Sequence, residues 1–290
     1  MRIDQLLVER GLAPSREKAR ALLMAGEVWV AGRRVDKAGT QVEVLAELEL
    51  RGRGLPFASR GGLKLEKALD RFALSPEGLV AVDLGASTGG FTDCLLQRGA
   101  RRVHAVDVGR GQLDLRLASD PRVVVHDRTN ARFLRPEDLG EAAGLVTMDL
   151  AFISLELVLP AARDLLVPGG VVVALVKPQF EAGPARVGRG GVVRDPEVHR
   201  DVLRRVLRKA AELGFGLVDL TFSPVRGPAG NIEFLAGFRR NGAELAADLE
   251  ERIARVVDEA HRAFDPSGAR PEGPGDGLDR PPSPPSEEVP

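Results

Sequence analysis

Three charged residues stand where short apolar runs begin or stop. Asp149 closes a run in MDLAFISL, Lys177 closes one in VVVALVKPQFEAG, and Glu233 opens one in GNIEFL. A lysine flanked by two carboxylates suits proton transfer: burial can pull the ammonium pKa toward the working range while the acids hold and orient it. Pro178 ends the run before it and holds Lys177 at the rim. The plainer alternative is a strand-end ion pair without chemistry. It is enough for any one of these residues, but three at strand ends around one cleft favour function.

A second constellation lies in LVAVDLGASTGGFTD, residues 79–93. Leu79 to Leu84 reads as a buried strand, and small residues follow it. Gly85, Gly89 and Gly90 can adopt backbone angles that a Cβ forbids and admit a ligand closely. From Phe91, through Leu95 and Leu96, the apolar spacing becomes helical. A strand, a small-residue turn and a helix start together make a site for a nucleotide-like ligand. The next apolar run ends at Asp107, 22 residues after Gly85, where an acid can accept hydrogen bonds from ribose hydroxyls. Asp83 and Asp107 in register strengthen the nucleoside reading. The turn departs from G-x-G-x-x-G, since Gly85 is followed by Ala86, Ser87 and Thr88, which favours a smaller adenosine ligand over a dinucleotide.

The elements that must position these groups alternate along the chain. Strands are expected at 79–84, 102–107, 122–126, 145–149, 171–176, 217–222 and 232–238, with helices at 90–98, 112–118, 153–166 and 196–213. That alternation predicts an α/β fold: a mostly parallel seven-stranded sheet covered on both faces. Gly227-Pro228-Ala229-Gly230 between the last two strands predicts an antiparallel edge hairpin. Ahead of this lies a small α+β unit, residues 1–50. Two short helices, 3–10 and 15–25, precede a strand at Val28 to Val30, a turn at Gly32-Arg33 and further β structure at Val35 and Val42 to Val44. Ser15 is the expected N-cap of the second helix.

The expected division is therefore 1–50, a glycine- and arginine-rich linker at 51–62, the main domain at 63–240, a helix at 241–264 and a proline-rich, disordered tail at 265–290. Leu245, Leu249 and Ile253 form the stripe of that last helix.

Net charge is −1, so global charge selects neither nucleic acid nor membrane. Locally, residues 1–60 hold 11 Lys/Arg against 8 Asp/Glu. Arg16, Lys18 and Arg20 on the second helix, with Arg33, Arg34 and Lys37 on the hairpin, make a basic surface of the kind small RNA-binding modules carry. Interspersed Glu17 and Glu27 keep a solvated helix face equally open. Arg60 extends the basic character into the linker. The glycine- and arginine-rich stretch 181–194 reads as a basic lid or as a plain connection. The arginines of 196–213 read as a solvated face.

One cysteine, Cys94, excludes an internal disulfide framework and a cysteine-based zinc site, and it is expected in the core. The four histidines show no metal-ligand spacing. No signal peptide and no apolar run of bilayer length is visible, so a soluble, cytoplasmic protein is expected.

Taken together, these segments resemble the TlyA (hemolysin A) family of ribosomal RNA 2′-O-methyltransferases over residues 1 to about 240. SREKARALLMAGEVWVAGRRVDKAG resembles the alpha-L RNA-binding module. SRGGLKLEKAL, DLGASTGGFTDCLLQRGA, HDRTNAR, MDLAFISL, VKPQFEAG and GNIEFL follow the family's order and spacing. The resemblance implies a Rossmann-like, FtsJ-type methyltransferase that uses S-adenosyl-L-methionine. It implies a Lys-Asp-Lys-Glu set at Lys64, Asp149, Lys177 and Glu233, although Lys64 by itself reads as a surface helix lysine. It further implies a cofactor site at Gly85, Ser87, Gly89, Asp107 and Asp127, RNA contacts through the basic head, and cytidine in ribosomal RNA within a subunit as the substrate, with no metal and no membrane partner. The family name also covers membrane lysis, which finds little support in the apolar pattern. A non-catalytic RNA-binding assembly factor and a nicotinamide-dependent oxidoreductase remain as other classes.

Overall fold

The protein is described from a computed structural model, which covers residues 1–13, 15–50, 56–242 and 247–265. Arg51, Arg53, the first part of the expected linker, Leu245 and the proline-rich tail beyond Asp265 lie outside these residues.

The head forms around two short amphipathic helices, α1 (Ile3–Glu9) and α2 (Arg16–Ala25). Ser15 Oγ accepts the Lys18 N–H at 3.2 Å, which satisfies one of the free donors at the start of α2. Gly26, with φ +73°, ends α2 in the left-handed region. Ile3, Leu7, Ala19, Leu23 and Val28 are buried together beneath a small sheet. That sheet has the order β2-β1-β3, from β1 (Val28–Val30), β2 (Arg33–Arg34) and β3 (Leu48–Leu50), all antiparallel. The third strand is thus 48–50 and not the expected 42–44. Val42 is engaged instead at the chain start, where its N–H donates to the Met1 carbonyl, and Gln41 makes a lone bridge to Arg2.

Residues 56–62 are less linker-like than their composition suggests. Phe57 and Ala58 are buried in the main domain, and α3 (Gly61–Arg71) already begins at Gly61. A Cβ at Gly62 would lie 2.2 Å from the Phe57 ring, so glycine there lets the incoming chain pack against the helix.

The main sheet has seven strands in the order β6-β5-β4-β7-β8-β10-β9. They are β4 (Val80–Leu84), β5 (Arg102–Val106), β6 (Val123–His126), β7 (Ala143–Met148), β8 (Leu166–Val176), β9 (Phe215–Phe222) and β10 (Phe234–Arg240). β6, β5, β4, β7 and β8 run parallel. β10 pairs antiparallel with both β8 and β9, so the expected antiparallel hairpin does form one end of the sheet. The connections carry α4 (Gly90–Gln97), α5 (Leu115–Ala118), α6 (Pro136–Leu139), α7 (Leu159–Leu165), α8 (Pro178–Glu181) and α9 (Pro196–Glu212), and α10 (Leu249–Ala263) closes the chain.

Alternate strand residues face two cores. One face of the sheet meets α7, α9 and α10 through Val82, Val146, Val172, Val202, Val206 and Ile253. The other meets α3 and α4 through Ala81, Val173, Leu235, Leu65, Leu69 and Leu95, with Cys94 buried among them. Each fully buried Leu or Val contributes roughly 1.5–3 kcal/mol, so the two layers hold the strand ends firmly. The arginines of α9 are ion-paired on its outer face, with Arg204 to Asp201 and Glu250 and Arg200 to Asp258. The stretch after Glu181 is pinned: Asn231 accepts the Val193 N–H and donates to the Gly191 carbonyl. Among the described residues no helix is long and apolar enough to cross a membrane.

Candidate active site

The order β4-β7-β8-β10 brings the chemistry-bearing residues to one rim. Asp149 follows β7 directly, and its N–H donates to the Leu84 carbonyl at the end of β4. Lys177 follows β8 and is the N-cap of α8. Because Phe234 pairs with Val176 across the antiparallel β8–β10 ladder, Glu233 and Lys177 are the next residues outward. α3 lies over this end of the sheet and supplies Lys64.

Two ion pairs result. Lys177 Nζ lies 2.6 Å from Asp149 Oδ1, and Lys64 Nζ lies 2.6 Å from Glu233 Oε2. The expected single lysine between two carboxylates is therefore resolved into two pairs, with Glu233 serving Lys64. Lys64 is only 8% exposed, so its reading as a surface lysine is corrected. Glu233 also accepts from Gln179 Nε2 at 3.4 Å, which links α8 to the second pair. A cleft of about 450 Å³ is lined by Lys64, Asp149, Lys177, Gly85 and Ser87, with Arg20 of the head among its walls.

The glycine turn is shaped by packing. Gly85 has φ +88°, and a Cβ there would stand 2.6 Å from the Asp149 carbonyl oxygen, so only glycine brings β4 this close to the β7 end. Gly89, at φ +97°, caps α4 and faces Leu113 and Leu117, away from the cleft. Asp107 accepts the Ser87 N–H at 2.9 Å and the Gly109 N–H at 2.7 Å, one on each oxygen. It therefore organises the turn and keeps a second lone pair on each oxygen for a diol. Asp127 accepts the Gly111 N–H at 2.9 Å and ties the loops after β5 and β6 together.

Several site residues carried little or no sequence signal. Asp83 is fully buried, and its carboxylate accepts from Thr92 Oγ1 at 2.7 Å and Thr147 Oγ1 at 3.0 Å, which joins α4 and β7 to β4. Burial pushes its pKa up to about 7. The nucleoside reading pairs it with Asp107, but its carboxylate is spent inside the fold on the two threonines. Glu181, at the end of α8, accepts from Ser154 Oγ at 2.7 Å and from the Leu155 N–H at 2.8 Å. It fastens the loop after Asp149 to the helix after Lys177, and burial raises its pKa. The Phe152 and Phe180 rings, 5.0 Å apart, flank the same junction.

Of the basic candidates, Arg16 and Arg20 point to one side of α2 and meet Asp4. Lys18 turns toward the main domain, 3.4 Å from the Ala58 carbonyl. Arg33 and Arg34 are exposed on β2, and the Arg34 guanidinium covers Gly26. Arg60 donates to the Arg226 carbonyl at 3.2 Å, and both residues line the cleft. The basic head thus presents separate groups and not one continuous surface.

The strand order, with the glycine turn and the lysine–acid cleft at the carboxyl ends of the parallel strands, is a Rossmann-like α/β architecture. Residues 57–240 match the FtsJ-like methyltransferase family and residues 1–47 the S4 domain. The chain belongs to the FtsJ-like methyltransferase family, with an S4 domain ahead of its catalytic fold. YqxC of Bacillus subtilis is 51% identical over 269 residues, covering 91% of this chain and 95% of that protein. The 16S/23S rRNA (cytidine-2'-O)-methyltransferase TlyA of Mycobacterium tuberculosis is 45% identical over 261 residues, covering 89% and 97%. A solved structure of a hemolysin-named protein from Streptococcus thermophilus aligns with a TM-score of 0.74 at 46% identity, covering 91% of this chain and 96% of that one.

Proposed function

We propose that this chain methylates the 2′-hydroxyl of cytidine in ribosomal RNA, with S-adenosylmethionine as methyl donor. The observation that carries the reading is the meeting of two lysine–carboxylate pairs, Lys177–Asp149 and Lys64–Glu233, at the cleft beside the glycine turn. The S4 match and the activity named for the M. tuberculosis relative support the choice of substrate.

The residues present fit the donor. The turn lines the cleft with Gly85, Ala86 and Ser87, which leave the backbone approachable. Asp107 and Asp127, at the ends of β5 and β6, would hold its ribose hydroxyls and its adenine amine through their carboxylate oxygens. When bound, S-adenosylmethionine supplies a methyl group activated by its sulfonium.

The chain's own residues then deal with the hydroxyl. Lys177 is the base that takes the 2′-hydroxyl proton onto Nζ, and Asp149, 2.6 Å away, stabilises the resulting positive charge. Loss of that proton would leave the 2′-oxygen free to accept the donor's methyl group, the sulfur–methyl bond breaking and S-adenosylhomocysteine departing. Lys64, braced by Glu233, donates toward the ribose oxygens and fixes their direction of approach. No covalent bond to the protein is required, so alignment supplies much of the rate. Arg16, Lys18, Arg20, Arg33, Arg34 and Arg60 provide backbone contacts, and the setting is an assembled subunit in the cytoplasm.

The test is transfer of labelled methyl from S-adenosylmethionine to purified small and large ribosomal subunits, followed by digestion to nucleosides. Label in 2′-O-methylcytidine is expected. Binding to subunits without any transfer would instead select the assembly-factor reading, and binding of a nicotinamide dinucleotide in place of S-adenosylmethionine would select the oxidoreductase.

A further inference from the structure

An RNA-binding head has little obvious use for a buried acid, yet Asp4 is one. It lies in the first turn of α1 with no exposed surface, beside buried Ile3, Leu6 and Leu7. A lone carboxylate there would be costly, and three guanidiniums meet it. Arg2 donates through Nε at 3.0 Å and Nη2 at 3.1 Å, Arg16 through Nη2 at 3.3 Å and Arg20 through Nε at 3.4 Å. These partners, Arg2 foremost, hold the Asp4 carboxyl well below the usual carboxylate range. Arg16 and Arg20 arrive one turn apart on α2, and Arg2 arrives from the residue ahead of α1.

One negative charge therefore gathers three positive ones and leaves an excess at the surface. The three arginine side chains remain 39%, 51% and 53% exposed. Each carries five N–H donors and spends one or two on Asp4, so the others face solvent. Fixed, outward N–H groups on planar cations suit the oxygens of a phosphodiester. Arg20 also lines the catalytic cleft, beside Glu17, so one arm of the fan reaches it.

The geometry points to Asp4 as the positioning residue of a three-arginine phosphate clamp that holds the RNA strand at the cleft entrance. The inference rests on the reading of RNA as substrate. Free arginine side chains lose rotamer freedom when they engage a ligand, whereas Asp4 has already ordered these three. Asp4 acts through the arginines and touches no RNA itself.

A clamp and a simple charge balance make opposite predictions for Asp4→Asn. Removing a negative charge should tighten RNA binding if net charge alone matters. It should weaken binding if Asp4 organises the donors. Binding of the fluorescently labelled full-length protein to purified ribosomal subunits, across a salt series, separates the two. Asp36→Asn, the same charge change at an exposed position of the head, is the control. Asp4→Asn is expected to bind about tenfold more weakly, with the slope of log K against log salt smaller in magnitude by about one. Asp36→Asn should bind at least as well as wild type.

Asp4→Asn binding as tightly as Asp36→Asn overturns the clamp. If circular dichroism shows that Asp4→Asn does not fold, Arg2→Gln and Arg16→Gln take its place. Each should reduce the slope by about one, and an unchanged slope in both overturns the clamp. Absence of salt-dependent binding by the wild type defeats the RNA reading, and the clamp with it.

Discussion

Lys177 Nζ and Asp149 Oδ1 lie 2.6 Å apart at the ends of two adjacent parallel strands, β8 and β7. The sheet itself sets this separation, so the pair is held before any substrate arrives. Asp149→Asn keeps the shape of the acid and removes its charge, and the ammonium that forms during reaction loses its counter-ion. Its kcat should fall about 10²- to 10⁴-fold, the usual worth of a general base with its support, with KM for S-adenosylmethionine unchanged. Steady-state methyl transfer measures both, and a kcat equal to wild type would remove Asp149 from the mechanism.

The Lys64–Glu233 pair predicts a stability effect as well as an activity effect. Both side chains are nearly buried, at 10% and 1% exposure. Glu233→Ala strands an ammonium there and should destabilise by about 3–5 kcal/mol in denaturant unfolding. Lys64→Met with Glu233→Leu removes both charges and should recover much of that loss without restoring methyl transfer. If the single variant lost no stability, the two groups would not be coupled in solution.

Glu181 touches neither lysine, yet it ties the two loops that carry the Lys177–Asp149 pair. Glu181→Ala frees Ser154 and the Leu155 N–H, and should lower kcat by about 10-fold, about 1.4 kcal/mol of misalignment, while leaving KM for S-adenosylmethionine alone. Glu181→Gln retains one acceptor and should regain part of the rate. Equal loss in both variants would point to charge, contributed with Arg205 and Glu156 nearby, and not to the latch.

His199 and His261 give the fold a pH dependence. Nδ1 of His199 meets Nε2 of His261 at 3.0 Å, joining α9 to α10, and its other nitrogen meets the Val193 carbonyl at 3.2 Å. Burial, and then the neighbouring His261, push the His199 pKa down to about 4. The unfolded chain therefore binds a proton on this side chain before the folded one does. The neutral-imidazole contribution is complete above about 6.5 and is lost as pH falls through that value toward about 4. Thermal midpoints should fall across this window in the wild type and fall less in His199→Gln. Parallel curves would assign the acid sensitivity to other groups.

Period and punctuation made most of the architecture legible. β4, β5, β8 and β10 follow apolar runs closed by glycine, proline or charge, and the turn at 227–230 foretold the antiparallel end of the sheet. The misplaced strand of the head shows the limit. Val42 to Val44 has strand composition, but the Met1 carbonyl takes its ladder position, a contact that local pattern cannot contain. The site was legible where a residue ends a strand, as with Asp149 and Lys177. Lys64 came through resemblance alone, because its burial depends on Glu233, distant in the chain. The same distance hid Glu181 and the two histidine pairs, His104 with His126 and His199 with His261. In each, the partners come together only when separate elements pack.

The most direct measurement is single-turnover methyl transfer by wild type, Lys177→Ala and Lys177→Arg at saturating RNA and S-adenosylmethionine, with binding of both followed in parallel. Lys177→Ala should bind both and transfer at least about 10²-fold more slowly. Lys177→Arg, permanently charged and unable to accept a proton, should be no better. Transfer by Lys177→Ala at the wild-type rate would contradict the assignment of Lys177 as the base.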